Sequence, residues 1–423
     1  MSEPATAQSI KIKLFIMMIL EIAIWGAWQP KIFPYMGSLG FEAWQQTLVG
    51  SVFGIASILG IFFSNQFADR HFAAERFLAV SHLLGGLALL GAAFTTDFWS
   101  FFGLFCLYGI LYVPTISVTN SLAFANLKDP AKDFGFVRMG GTIGWIVVSW
   151  PFIFLLGANA GPSEVRNIFI VGAVVSFIMA AYSMTLPHTP ARKDAAGLDK
   201  LAWLKAARLL RTPFVLVLFI VTLIDAVIHN GYFVVSDGFL TTRVGISANM
   251  SMVVMSIGQV AEIVTMLVLG TVLAKLGWRI TMIIGILGHA LRFAAFAFCA
   301  DMQWLIIGVQ VLHGICYAFF FATVYIFVDA VFPKDVRSSA QGLFNLLILG
   351  VGMVVASYVF PLLVEHYSTK VTFMDKTAQV VDYKSLFLVP TVMAIVGIAI
   401  LGLFFKPPTR APQEIAPGSA PSH

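Results

Sequence analysis

From Lys11 to Lys406 the chain is tiled by about a dozen apolar stretches, each long enough to cross a bilayer, and several carry an ionisable residue in mid-span. A helix needs about 20 apolar residues to traverse the hydrocarbon layer. A charge inside that layer is costly, so it faces the interior of a helix bundle or a wetted cavity, commonly on the path of a solute or ion. The chain therefore reads as an all-α integral membrane protein, and as a transporter before an enzyme. Of its 423 residues 59% are hydrophobic and 11% charged, against about 25% charged in soluble domains.

The expected spans are 12–34, 44–65, 75–95, 98–124, 135–157 and 167–187, then 213–237, 248–275, 279–300, 303–331, 338–364 and 384–405. Six spans, a polar segment and six more divide the chain into halves at 1–187 and 212–406, a recurrent transporter plan. The 188–211 linker mixes Leu with Lys and Arg, and is either a short helix on the membrane surface or a solvated connection. The Pro-rich tail, 407–423, is expected to be disordered. The segment from Glu365 to Tyr383 is the longest loop on the outer side; it caps the mouth or has no specific role.

Most of the 26 Lys and Arg residues fall on the side that holds both termini and the linker. The positive-inside rule places that side in the cytoplasm. This bias orients the protein and is no argument for a nucleic-acid partner. Cys106, Cys299 and Cys316 lie in apolar runs without metal-ligand spacing, so no metal site and no disulfide framework are expected. The first apolar run is too long for a signal peptide and reads as a span.

Polar residues recur at helical spacing inside the spans. Arg138, Thr142 and Trp145 fall at i, i+4 and i+7 and share a face. They offer directional donors, a hydroxyl and a ring that stacks on a base, or else Arg138 snorkels to the membrane surface. Gln259 and Glu262 share another face. A carboxyl in a membrane cavity is a credible proton carrier, unless Glu262 is a brace paired with Arg292. Glu21, Trp25 and Trp28 form a stripe in span one, where Glu21 is a second candidate proton carrier and Trp28, nearer the outer end, is expected in the interfacial aromatic belt. Asp225, His229 and Tyr232 form another, with Asn230 beside it; Asp225 is a third candidate carrier. His313 and Tyr317 precede Phe319-Phe320-Phe321, one of whose rings is available to a cavity. Tyr112, Thr115 and Thr119 line a face next to Asn120, suited to a substrate or to interhelical bonds. Asp329 and Arg337 form a candidate charge latch at the cytoplasmic end.

Several stretches carry a resemblance. Asn65-Gln66-Phe67-Ala68-Asp69-Arg70, with Arg76, resembles the signature loop of the major facilitator superfamily, and Asp69 and Arg70 suit a conformational latch; Lys275-Leu276-Gly277-Trp278-Arg279 is a weaker echo. The ordered set LEIAIWGAW (Leu20–Trp28), YVPTISVTN (Tyr112–Asn120), RMGGTIGW (Arg138–Trp145), SIGQVAE (Ser256–Glu262), LRF (Leu291–Phe293) and RSSAQGLF (Arg337–Phe344) resembles the nucleoside:proton symporter family over nearly the whole chain. That resemblance implies a major facilitator fold of 12 transmembrane helices in two six-helix halves. It further implies nucleoside import with the proton as coupling ion and no cofactor, by a monomer in the bacterial inner membrane. The family's substrate-contacting Arg and Thr match Arg138 and Thr142, and Asn230 matches one of its amides. The chain departs from the pattern at Trp145 (Phe in the family), at Glu21 (Gln), and at His313 and Tyr317 (Tyr and Phe). Ala318 stands where the family has an acid, which implies a different coupling scheme or a different preferred nucleoside.

The runner-up is a proton symporter for a sugar or another small polar solute. A membrane-embedded enzyme would need a nucleophile beside a base or paired metal ligands, and the one close acid–histidine pair, Asp225 and His229, has no such company.

Overall fold

A computed structural model describes residues 3–60, 72–191, 208–332, 334–373 and 376–407. Asp69, Arg70, most of the linker (192–207) and the tail beyond 407 lie outside the described residues.

Without water in the hydrocarbon layer every backbone donor and acceptor must be paired inside its own segment, and helices are the open-chain solution. The long helices are α1 (Glu3–Trp28), α2 (Ala43–Leu59), α3 (Ala74–Ala93), α4 (Phe98–Asn126), α5 (Pro130–Ser149) and α6 (Asn167–Ser183). The second half holds α7 (Pro213–Thr242), α8 and α9 within Ser251–Phe298, α10 (Gln303–Val331), α11 (Ala340–His366) and α12 (Tyr383–Phe404). Residues 251–298 are continuous in hydrogen bonding but break direction at Gly277, whose φ of 70° suits a residue without a side chain. The echo of the signature loop is thus the corner between α8 and α9. Polar caps set other boundaries: Asp97 accepts from the Ser100 amide at the start of α4, and Asp382 from Ser385 at the start of α12.

Within the first half α1 packs on α5 and α6, and α3 on α4 and α6; within the second, α8 and α9 pack on α10 and α12, and α7 on α11 and α12. The halves meet chiefly where α2 crosses α11 and α5 crosses α8. Large apolar side chains point outward, Trp304 at 82% exposure and Leu403 at 69% among them, as a lipid-facing surface requires.

One expectation is corrected. Trp28 is 2% exposed rather than interfacial. Its indole donates to the Tyr108 hydroxyl at 3.0 Å and packs edge-on against Phe53 and Phe105, so burial of the ring outweighs a place in the headgroups. The 365–383 connection contains a hairpin: β1 (Ser368–Phe373) and β2 (Lys376–Val381) pair antiparallel, Ser368 opposite Val381. β-branched residues throughout both runs favour that pairing.

One end of the molecule is sealed across the halves. Lys31, only 2% exposed, follows α1 and places Nζ 2.8 Å from Asp237 Oδ1 of α7 and 2.8 Å from Ser251 Oγ of α8. Beside it the Ala248 backbone N–H donates to the Ala158 carbonyl at 2.9 Å, and the Asn249 side-chain amide to the Ile153 carbonyl at 3.2 Å.

Candidate functional site

The first wall is built by close helix approach. Gly140 and Gly144 turn one face of α5 into α1: a methyl at Gly144 would stand 2.1 Å from the Ile19 carbonyl oxygen. Small residues at four-residue spacing let membrane helices touch in this way. With that face committed to α1, Arg138, Thr142 and Trp145 present to a chamber between the halves. From α1 come Trp25, which donates to Gln29 Oε1 at 3.2 Å, and from α4 comes Asn120. The Trp25 and Trp145 rings meet edge to face, 5.7 Å between centroids.

The opposite wall depends on Gly314 of α10, where a methyl would lie 2.2 Å from the Glu262 amide nitrogen. Its absence lets α10 lie against α8 at the level of Gln259 and Glu262. Asn230 and His229 enter from α7, and His313, Tyr317 and Phe321 from α10. A π-helical turn covers Tyr317–Ala322 and a second covers Leu346–Val351; such wide turns recur at functional sites. The chamber volume is about 250 Å³. Thr142 Oγ1 lies 3.4 Å from Glu262 Oε1 and joins the halves across the chamber. Asn230 Nδ2 is held by the Ala226 and Ile348 carbonyls at 2.8 and 3.2 Å. Gln259 Oε1 is buried with no hydrogen-bond partner among the described residues.

The structure therefore brings Trp25, Asn120, Arg138, Thr142, Trp145, Asn230, Gln259, Glu262, His313 and Tyr317 to one chamber. Tyr112 does not reach it. Its hydroxyl donates to the Glu21 carbonyl at 2.6 Å and its ring stacks on Tyr108, because α4 turns that face into its own half. Glu21 lies behind the wall, bonded to His82 Nε2 at 2.9 Å and Thr115 Oγ1 at 2.6 Å. Asp225 is fully buried, 3.6 Å from His289 Nε2. The pairing of Glu262 with Arg292 is not found; Arg292 turns to His313 and His289 instead. Asp329 and Arg337 are 3.2 Å apart, at the end away from Lys31.

The chamber also contains residues that the sequence reading left out: Gln29, Phe233, Tyr325 and Asn345. Tyr325 donates to Asn345 Oδ1 at 2.5 Å. Two carried a usable signal. Tyr325 continues the four-residue steps of Tyr317 and Phe321, and Asn345 is a lone amide at the start of an apolar run.

Chemically, the chamber has aromatic rings on both walls, donors in Arg138 and His313, acceptors in Gln259 and Glu262, and opposite formal charges on its two walls. It fits a small, flat, polar solute with hydroxyl groups, and among the described residues that line it there is no cluster of cations that would match a phosphate.

Comparison with known proteins agrees. The nucleoside H+ symporter family matches residues 8–410. The putative nucleoside transporter YegT of Escherichia coli K12 is 33% identical over 350 residues, covering 80% of this chain and 81% of that protein. The nucleoside permease NupG of the same strain is 27% identical over 377 residues, 85% of this chain and 89% of that one. A crystal structure of NupG matches with a TM-score of 0.79 over 94% of this chain and 99% of that chain, at 24% identity, so the two share the major facilitator fold.

Proposed function

Because the chain belongs to the nucleoside H+ symporter family, we propose that it carries nucleosides inward across the membrane together with protons, by alternating access to the chamber between its halves. The observation that carries this reading is the convergence of Arg138, Gln259 and Glu262, from different helices and both halves, on one cavity. Aromatic faces take the base, and the amide and carboxylate take ribose hydroxyls.

Glu262 is the proton carrier in this reading. Of the three carboxyl groups named for that role it is the one that lines the chamber, so its protonation and substrate contact are linked in space. Asp225 supports it from behind the second wall, and Glu21 acts on the first half alone. The protein works as a monomer in the bacterial inner membrane with both termini in the cytoplasm, which puts the Lys31–Asp237 seal outside. That buried pair closes the outer gate in the inward-open arrangement and separates in the outward-open one; Asp329 and Arg337 belong to the cytoplasmic latch.

The test is uptake of labelled uridine and adenosine by cells or proteoliposomes. Uptake is expected to rise with an inward proton gradient, to collapse with a protonophore, and to lose its proton dependence in Glu262→Gln while exchange of substrate down its own gradient survives. Full proton dependence in Glu262→Gln would remove the carrier assignment. Competition by sugars in place of nucleosides would remove the substrate class.

A further inference from the structure

Arg292 of α9 is wholly buried, and its guanidinium faces two imidazoles. Nη1 lies 2.7 Å from Nδ1 of His313, and Nη2 lies 3.0 Å from Nδ1 of His289. The guanidinium plane rests on the Tyr232 ring, 4.1 Å from its centroid, and Tyr232 is itself fixed by donating to Gln310 Oε1 at 2.8 Å. A guanidinium has five donors and no acceptor. Each Nδ1 therefore offers its lone pair, which places the ring proton of both imidazoles on Nε2.

The two Nε2–H groups have different surroundings. That of His289 lies 3.6 Å from Asp225 Oδ1, inside the second half. His313 belongs to the chamber wall, and its Nε2 has no hydrogen bond among the described residues. The His313 ring is packed between Tyr232 and His229, with both centroids at 4.8 Å, and Phe233 meets it edge-on at 5.4 Å. A ring flip would turn carbon toward Arg292 and lose the bond, so packing and clamp hold the same orientation.

We propose that Arg292 is a positioning residue that presents His313 to the chamber as a fixed hydrogen-bond donor, and that the transporter thereby prefers nucleosides whose base carries an exocyclic carbonyl over those carrying an amino group at the same place. This rests on the nucleoside reading above. His313 shares its wall with Phe233, Tyr317 and Phe321, rings on which a base can stack, while Gln259 and Glu262 supply the acceptors that ribose hydroxyls need. The exocyclic group lies on the side of the base away from the ribose and meets the wall first. A carbonyl there accepts from Nε2–H, as uracil and hypoxanthine do. The amino group of cytosine or adenine sets donor against donor and leaves both unpaired in a closed space.

The test pairs substrates that differ at that one group. Labelled uridine uptake in proteoliposomes is competed with unlabelled uridine against cytidine, and with inosine against adenosine. In each pair the carbonyl member is expected to inhibit at a concentration lower by about tenfold or more. His313→Gln, whose amide can turn to donate or accept, is expected to bring both ratios toward one, whatever rate it retains. The clamp is read separately, from the nitrogen chemical shifts of histidine-labelled protein, with the His313 signals assigned by their loss in H313Q. The Nε2–H form is expected in the wild type, and a mixture of forms in Arg292→Met. Because Arg292→Met stands to disturb folding, the wild-type spectrum decides the clamp by itself. Equal inhibition within each pair, or an Nδ1–H form of His313, overturns the proposal and leaves nucleoside transport standing. Inhibition by none of the four nucleosides removes the nucleoside reading and this proposal with it.

Discussion

Each half buries one acid–histidine pair at the same place in its helix order, on its first and third long helices. In the first half Glu21 of α1 meets His82 of α3; in the second Asp225 of α7 meets His289 of α9. All four side chains are at most 1% exposed, and at the level of residue types the two pairs look interchangeable. Their bonding differs. Glu21 has both oxygens engaged, one by His82 at 2.9 Å and one by Thr115 at 2.6 Å, while His82 is in turn anchored where Ser176 donates to its carbonyl at 2.8 Å. Neither oxygen of Asp225 has a hydrogen-bond partner among the described residues, and His289 Nε2 stops 3.6 Å short. The saturated pair is a brace. The unsaturated pair holds bonding capacity in reserve, and through Arg292 and His313 it is continuous with the chamber wall. Burial alone does not separate structural from working charges in a membrane protein; the number of partners does.

The largest expected effect tests the brace. Glu21→Ala leaves His82 and Thr115 facing an empty site, and removing one member of a buried, bonded pair costs about 3–5 kcal/mol. A clear fall in melting temperature in detergent is expected, with proton-driven uptake retained by the protein that still folds. A melting curve that matches the wild type would erase the distinction between the halves.

Asp225→Asn is expected to act the other way round. The carboxylate has no bond to lose, so stability should change by no more than about 1 kcal/mol, in either direction. Proton-driven uptake should slow by about tenfold, equivalent to about 1.4 kcal/mol in a barrier. Initial rates under an imposed proton gradient, set beside the melting curve, separate the two readouts. A variant that melts far below the wild type would make Asp225 a second brace.

This contrast explains what could be read from the sequence. The helices were legible because each is written in a contiguous apolar run, and so were the stripes of α5 and α8, since Arg138, Thr142 and Trp145 lie within seven residues, as do Gln259 and Glu262 within three. Gly140, Gly144 and Gly258 in those motifs mark the faces committed to neighbours, which leaves the polar face for the chamber. Partner identity was not legible. Lys31, inside the expected span 12–34, carries no sequence signal that sets it apart, yet it is bonded to Asp237 and Ser251, 206 and 220 positions away. The Arg292 clamp likewise joins residues from different helices, and no periodicity in one helix reports which face of the next will meet it. Tyr112 shows the converse error: it shares a stripe with Thr115, but that stripe serves Glu21 and not the chamber.

The same argument sets a lower limit. Arg243 and Asp301 form an ion pair at the sealed end, 2.7 Å apart, with side chains 43% and 82% exposed. Here bonding is present and burial is missing, the reverse of Asp225. The Arg243 guanidinium holds the Asp301 carboxyl below its ordinary value, first through the hydrogen bond and then through its charge. A carboxyl held low contributes stability where it is ionised in both folded and unfolded chains, above its ordinary value of 3.8, and loses that contribution as pH falls through the folded value. At neutral pH the whole contribution is therefore in place, but solvent and salt screen it. Asp301→Asn is expected to leave the melting temperature at pH 7 indistinguishable from the wild type, and to leave uptake unchanged. A measurable fall that disappears in acid would mean that this pair does more than its exposure allows, and that partner count outranks burial even at the surface.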